Sequence, residues 1–571
     1  MSRRSVSRPT TNPLRTTKPL LAALLVALVP LAAQAVDPVV PGAGSLLRQL
    51  QPVTPPPPSP TGTSLTIVPE GGGTLPTSAA FLVNAIEISG NTLFDTPTLH
   101  ALVASAEGQS NTLSQLNELA ARITGYYHSH GYVLARAIIP AQTIASGIVR
   151  IEIMEARYGK IGLDNTSRVN DPLLLATLSR LQSGQAIGQT DLDHTLLLLS
   201  DIPGVVVNAT LKQGETNGQS DLLVNTTPGP AVSGTAALDD YGNRYTGRAR
   251  LGATVKLVDP LHHGDVLSVS GLSSGPGMNY ADLAYDTLLN GAGTRLGASY
   301  SALHYSLGDP FSSLDAHGTA NVESLWARQP LVRSRDVNLY ALIQYDRMRL
   351  RDHIDLSAIK TDRHLDNGTT TLTGDARDAF LSGSASAWNV GWTSGHVGFD
   401  DRTAQSADAS TARTQGRFSK WNVSVYRLQG LTSKSALYLA FSGQWASVNL
   451  DSSEKMSVGG PYSVRAYDMG AIAGDAGCLE IAEFRRDLGR AWDGQWQALT
   501  FLDGAQVKVN KAAWVAGTNR ASLSGAGVGL SWDGPRQWAA RTYIAERIGS
   551  TSELVASGAS FHAWVEISKA W

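Results

Sequence analysis

A single cysteine, Cys478, occurs in 571 residues. That excludes an internal disulfide and any zinc cluster built from cysteines, and leaves Cys478 as a small side chain in a loop. Excess charge of either sign is missing too. Forty-six Lys and Arg stand against 48 Asp and Glu, a net charge of -2, so the chain lacks the basic footprint that nucleic-acid binders carry, and no nucleic-acid partner is expected. There is no GxxxxGK(S/T) loop, GxSxG elbow or HExxH pair, so nucleotide cradling, serine hydrolysis of that type and zinc proteolysis have no sequence basis. Adjacent histidines do occur, His262-His263 in DPLHHGD. Neighbours in extended chain point to opposite faces, so the pair reads as a turn between strands. No metal, cofactor or catalytic residue is expected, and the chain reads as not an enzyme.

Long hydrophobic runs are scarce. Arg3, Arg4, Arg8, Arg15 and Lys18 precede LLAALLVALVPLAA, which leads into Ala33-Gln34-Ala35. A charged start, a short apolar run and an A-x-A site read as a signal peptide over 1–35. The run is shorter than the ~20 residues a spanning helix needs, and no later segment reaches that length. The remainder is therefore either soluble outside the cytoplasm or a membrane β-barrel.

The segment 36–80 holds GAGSLLRQLQ (42–51) and then Pro55-Pro56-Pro57-Pro58. Ser45, Leu46, Leu47, Arg48 and Leu50 belong to a short helical candidate, tethered by a polyproline II spacer that forms no hydrogen bonds of its own. Residues 81–157 then predict a β-α-α-β-β unit. FLVNAIEIS is extended, Thr96-Pro97 opens one helix, and Thr112-x-x-Gln115 is a capping box for a second that carries Leu116, Leu119, Ile123 and Tyr126. YVLARAIIP and GIVRIEIME close the unit as strands. The same order recurs over 158–230, from KIGL through helices at Asp171-Pro172 and Thr190 to VVVNATL and DLLVNTT. The chain thus predicts two small α+β domains in series.

From 231 to 571 helical periodicity gives way to alternation. In RARLGATVKLV, Ala249, Leu251, Ala253, Val255 and Leu257 share one face, and in FHAWVEISKAW so do Phe561, Val565, Ile567 and Trp571. A soluble sheet with one wet face would also alternate. Segments of about ten residues match a tilted strand crossing a bilayer, and the length allows some 14 to 18 strands. The polar stretches 351–379 and 400–416 are expected as long loops. Most of the twelve tryptophans read as interface girdle and packing residues.

These residues resemble a known family, the outer-membrane transporters of two-partner secretion, also called haemolysin secretion/activation proteins. The likeness runs through the leader, tethered helix and proline linker, GYVLARAIIPAQTIASGIVRIEIMEARYGKI (131–161), SYSALHYSLGDPF (299–311), GGPYSVRAYDMGAIAGDAG (459–477) and FLDGAQV (501–507). It implies a sixteen-strand all-β barrel behind two periplasmic polypeptide-transport-associated (POTRA) domains, with the helix at 42–51 plugging the lumen. The implied activity is capture of an unfolded exoprotein through those domains and its secretion through an outer-membrane pore. The implied partners are that exoprotein and the lipid bilayer, with the transporter itself a monomer. A barrel-assembly factor and an outer-membrane enzyme are the alternatives.

In this family the glycine-rich segment is the loop between the eleventh and twelfth strands, folded into the lumen, with a Val-Arg-Gly-Tyr/Phe core. Here the core reads Val464-Arg465-Ala466-Tyr467, followed by Gly474, Asp475 and Gly477. Alanine stands where the family has glycine. The resemblance also implies an inward acid at Asp503, and a guanidinium meeting it through two parallel hydrogen bonds would anchor the loop. Asp475 and Glu480 are rival partners, and Arg465 could instead point into lumen water.

Overall fold

A computed structural model describes residues 40–50, 64–67 and 79–571 apart from positions 145, 217 and 557. The expected leader and the proline run lie outside the described residues.

In the first α+β domain, Ile148–Met154 pairs in parallel with Ala85–Ser89 and antiparallel with Arg136–Ile138. Helices α2 (Thr96–Ala101) and α3 (Leu113–Ser129) pack on this sheet. The start of α3 is fixed reciprocally: the Gln115 amide donates to Thr112 Oγ1, and the Thr112 amide donates to Gln115 Oε1 at 2.8 Å. Its Leu116, Leu119 and Ile123 are buried together with Tyr127, while Tyr126 is only partly covered. Residues 116 and 127 are eleven apart, about three turns of 3.6 residues, so position 127 and not 126 returns to the inward stripe. Of YVLARAIIP only Arg136–Ile138 is strand.

The second domain begins with Arg157–Asn165, parallel to Gln219–Pro228, which is antiparallel to Val205–Gln213. A further strand, Ser64–Ile67, adds in parallel to the outer side of Val205–Gln213. Helices α4 (Asp171–Leu178) and α5 (Gln189–Ser200) cover the sheet through Leu174, Leu178, Leu192, Leu196 and Leu199. Glu155 sits buried where the two domains join. Its carboxylate accepts from the amides of Thr92 (2.7 Å) and Leu93 (2.8 Å) and from the Tyr127 hydroxyl (2.8 Å), with Arg157 at 3.2 Å. Burial pushes its pKa up, but the Thr92 hydroxyl, the two amides and the Tyr127 hydroxyl together outweigh burial and hold it below the ordinary glutamate value.

The rest is a closed barrel of sixteen antiparallel strands, from Val232–Asp239 to Phe561–Ala570. Closure pairs Thr235 through Asp239 with Ala570 through Glu566. Alternation sorts each strand: Leu251, Val255 and Leu257 face outward exposed, whereas the adjacent Arg250 turns inward and binds Asp239 at 2.8 Å. The DPLHHGD segment is the turn between Arg250–Val258 and Val266–Ser273, held by Asp259 and Asp265. Such turns are short at one end of the barrel, and that end meets the second α+β domain. There Arg333 grips Asp201 through two bonds (2.7 and 2.8 Å), and Arg335 reaches Asp193 at 2.7 Å.

Connections at the opposite end are longer. The 400–416 segment holds helix α6 (Arg402–Ser410), capped by Asp401. The 351–379 stretch differs from expectation, because it is largely strand: Val337–Ile354 and Ile359–Asp378 pair out to a four-residue tip at 355–358. Polar composition there reflects alternation facing water and lumen, which composition alone cannot distinguish from a loop.

Candidate functional site

Two segments fill the barrel. The first is the chain between the eleventh strand, Ser435–Ala446, and the twelfth, Ala476–Ala491. Inside it Met456–Val458 and Ile472–Gly474 form a small antiparallel ribbon, with Gly474 opposite Met456, so the loop folds back on itself. Gly477 resumes the barrel ladder opposite Gln444.

At the tip of this fold Arg465 is buried, 3% exposed. The structure brings it to Asp503 on Gly494–Lys508: Nε donates to Oδ2 at 2.9 Å, one terminal nitrogen to Oδ1 at 2.6 Å, and the Arg465 amide to Oδ2 at 3.0 Å. The other terminal nitrogen donates to Glu483 Oε1 at 2.7 Å. Glu483 also accepts from Arg485 at 2.6 and 2.9 Å, so two carboxylates meet two guanidiniums. The Arg465 guanidinium stacks 3.5 Å from the Phe501 ring centre, and its carbonyl accepts from Trp564 Nε1 at 2.7 Å. Nearly every polar atom of the residue thus has a partner, which a buried charge requires.

Neither rival partner touches Arg465. Asp475 is fully buried at the foot of the loop, where it accepts from the amides of Leu450 (3.1 Å) and Lys511 (2.7 Å) and pairs with Lys455 at 2.9 Å. Glu480 is exposed on the twelfth strand, three residues from Glu483 and therefore on the opposite face. Glu483 was missed in the sequence. The available signal was the two-residue spacing that places Glu483 and Arg485 on one face.

Val464, Ala466 and Tyr467 are buried around the arginine in one apolar cluster. Ala466 does not adopt the left-handed backbone. Its methyl is accommodated from the other side, since a Cβ at Gly525 would lie 2.6 Å from Ala466 Cβ. The Ala466 carbonyl accepts from Arg547 Nε at 3.2 Å, and the Arg547 guanidinium lies over Tyr467 at 4.4 Å.

The second occupant is α1 (Ala43–Leu50), inside the barrel. Leu46 and Leu47 join wall residues Leu303, Tyr305, Leu350, Leu365 and Phe418 in one cluster, and Leu50 packs at its margin. Ser45 caps the first turn, its Oγ accepting from the Gly42 amide at 3.1 Å. The Ala43 amide donates to Asp352 Oδ1 at 2.6 Å, placing a carboxylate at the positive end of the helix. Arg363 holds that carboxylate at 2.7 Å and reaches Asp451 and Ser452, so two strands and the chain beneath α1 share one network. Gly44 presses on that chain: a Cβ there would meet the Ser453 amide nitrogen at 2.7 Å. Asn243 links the two occupants, donating to Gln49 (3.0 Å) and to the Met469 carbonyl (3.2 Å). Between them a cavity of about 750 Å³ remains, lined by Arg48, Asn243, Asp352, Ala407, Ile472 and Trp514.

Chemically the arrangement is a polar lumen occupied by two bodies, the loop tip bound through a buried charge network and α1 packed largely through apolar side chains. Among the described residues no cluster of His, Cys, Asp and Glu could hold a metal ion.

Comparison with known proteins completes this description. Residues 218–532 match the family described as haemolysin secretion/activation protein ShlB/FhaC/HecB, and residues 81–156 match the POTRA domain of ShlB type. The heme/hemopexin transporter protein HuxB of Haemophilus influenzae is 26% identical over 457 residues, 79% of this chain and 80% of that protein. The outer membrane transporter CdiB of Dickeya dadantii is 23% identical over 512 residues, 85% of this chain and 84% of that one. Among solved structures, CdiB from Escherichia coli aligns with a TM-score of 0.69 at 20% identity, covering 89% of this chain and 94% of that chain. CdiB from Acinetobacter baumannii aligns at 0.61 and 16% identity, covering 92% and 96%.

Proposed function

This chain belongs to the haemolysin secretion/activation protein family, ShlB/FhaC/HecB, and from that premise we propose how its parts divide the work of secretion. It is an outer-membrane β-barrel transporter that moves a partner exoprotein to the cell surface, with POTRA domains on the periplasmic side. The two POTRA domains capture the client as an extended segment added to a sheet edge, where main-chain hydrogen bonds give affinity with little dependence on sequence. Attachment of the second domain to the short turns through Arg333 and Arg335 sets the captured segment at the pore mouth and raises its local concentration there. The transporter acts as a single chain, and the passage assigns no catalytic step to any residue.

The observation that carries this reading is the unequal hold on the two lumen occupants. The loop around Arg465 is bound at both chain ends and by a buried charge network. Helix α1 is bound largely through apolar packing, with hydrogen bonds at its first turn and at Gln49. The plug that leaves is therefore α1, and the loop is the fixture that shapes the conduit left behind. The test is single-channel recording in planar bilayers on a variant lacking residues 40–50. Conductance should rise well above that of the intact protein, and equal conductance would overturn the assignment of α1 as the plug.

A further inference from the structure

The second POTRA domain borrows a strand. Ser64–Ile67 lies parallel to Val205–Gln213, with Ser64 opposite Asn208 and Ile67 opposite Leu211. Without it Val205–Gln213 would be an open edge, a row of unpaired main-chain donors and acceptors ready to template another strand. The borrowed strand is a weak occupant. It spans four residues against nine in its partner, Leu65 packs only partly on the domain core, and Ile67 remains 46% exposed. A longer segment could pair along the whole edge and cover Val206, which now stands exposed. The pattern that fits is legible in the occupant itself: aliphatic Leu65 and Ile67 beside Ala209 and Leu211, with the hydroxylated Thr66 between them.

Chain connectivity gives the contact a consequence. Thirteen residues, 51–63, separate the end of α1 from this strand, and the first POTRA domain begins at Phe81. While Ser64–Ile67 is paired, α1 is tethered to the second POTRA domain by those residues alone. Once it is displaced, the tether runs through to residue 78 and more than doubles.

We propose that Ser64–Ile67 is a resident stand-in for the client on the second POTRA edge, displaced by an extended client segment of alternating aliphatic and hydroxylated residues, and that its displacement frees α1 to leave the lumen. The proposal rests on the secretion reading above and adds the regulation of its capture site. Linkage makes the effect reciprocal: whatever lengthens the tether favours exit of α1, and exit of α1 weakens the stand-in.

The test uses the full chain and, as probe, a fluorescent peptide of residues 62–69. In a Cys478→Ser background, Thr66→Cys with Thr210→Cys places thiols on directly opposed residues of the paired strands. Oxidation should cut peptide binding by about tenfold or more and suppress channel openings in planar bilayers, and reduction should restore both. Leu65→Pro with Thr66→Pro removes the stand-in's donors and should instead strengthen peptide binding and make openings more frequent. Equal peptide affinity in oxidised, reduced and proline forms would overturn the stand-in. Altered affinity with unchanged openings would overturn its link to α1. In cells, a locked variant that still secretes the client overturns the inference and leaves the transporter reading intact, whereas intact protein that secretes nothing tells against that reading itself.

Discussion

The two bodies inside this barrel are held by opposite means. The loop tip is fixed by directional chemistry: a planar guanidinium with a carboxylate on each side, an aromatic ring beneath it and an indole on its carbonyl. Helix α1 is fixed mainly by non-directional contact, Leu46 and Leu47 among wall residues, with the Ala43 amide on Asp352 and Gln49 accepting from Asn243. Apolar packing tolerates sliding, whereas a desolvated ion pair gains nothing until its geometry is complete and is costly to separate. The proposed division of labour, with the loop staying and α1 leaving, puts the first kind of bond on the part that stays and the second on the part that moves.

The strongest way to break this contrast is at the fixture. Arg465→Ala or Asp503→Ala leaves a buried charge without its partner, a local cost of about 3–5 kcal/mol. Secretion should be abolished while heat-modifiability on gels shows that the barrel still inserts. The double variant should be less impaired than the two single losses combined, because the residues share one contact. Arg465→Lys should fail as well, since an ammonium cannot donate to two carboxylates along the same planar fork. Full secretion by both alanine variants would remove the fixture from the account.

Next in size is a change that should unseat α1. Gly44→Leu drives a side chain into the Ser453 backbone, so α1 should lose its seat and conductance in planar bilayers should rise toward that of the variant lacking 40–50. Unchanged conductance would mean that the seat adapts. Glu483→Gln sharpens the comparison from the loop side. It keeps an acceptor for Arg465 but removes charge shared with Arg485, which should cost about 1–3 kcal/mol and reduce secretion partially, well short of the loss in Arg465→Ala.

The smallest effect lies outside the barrel and serves as its control. Glu155 has a folded-state pKa below its unfolded value. Its contribution is therefore present above the unfolded glutamate pKa of about 4.3 and is lost as pH falls through the folded one. The isolated signature is acid loosening of the first POTRA domain, read by hydrogen exchange at Thr92 and Leu93, with the lumen network unaffected. Glu155→Gln should remove that acid dependence. Persistence of the same acid transition in Glu155→Gln would assign it to another group.

How much of this was legible follows from the range of each interaction. The start of α3 was legible because Thr112 and Gln115 are three residues apart, and the outward stripe of Leu251, Val255 and Leu257 because alternation is local. Sixteen strands and the lumen position of the loop came through family resemblance, since nothing in one strand counts its neighbours. Glu483 was missed because its place beside Arg465 depends on the register of Ala476–Ala491 against Gly494–Lys508, where Phe501 stands opposite Glu483. The clasp of α1 by Asp352 and Arg363, some three hundred residues away, has no sequence-local trace at all. The stretch 351–379 was misjudged as loop for a related reason: polar composition reports exposure to water, and a strand projecting beyond the bilayer meets water too.

The fit between Ala466 and Gly525 sets an order of inheritance. Glycine at both positions leaves a small gap, and alanine at either one alone fills it, but alanine at both would bring two methyls to 2.6 Å. A lineage can therefore exchange which side carries the methyl only by passing through the doubly glycine state. Alanine at 525 thus requires glycine at 466, and two sites far apart in the chain are expected to vary together.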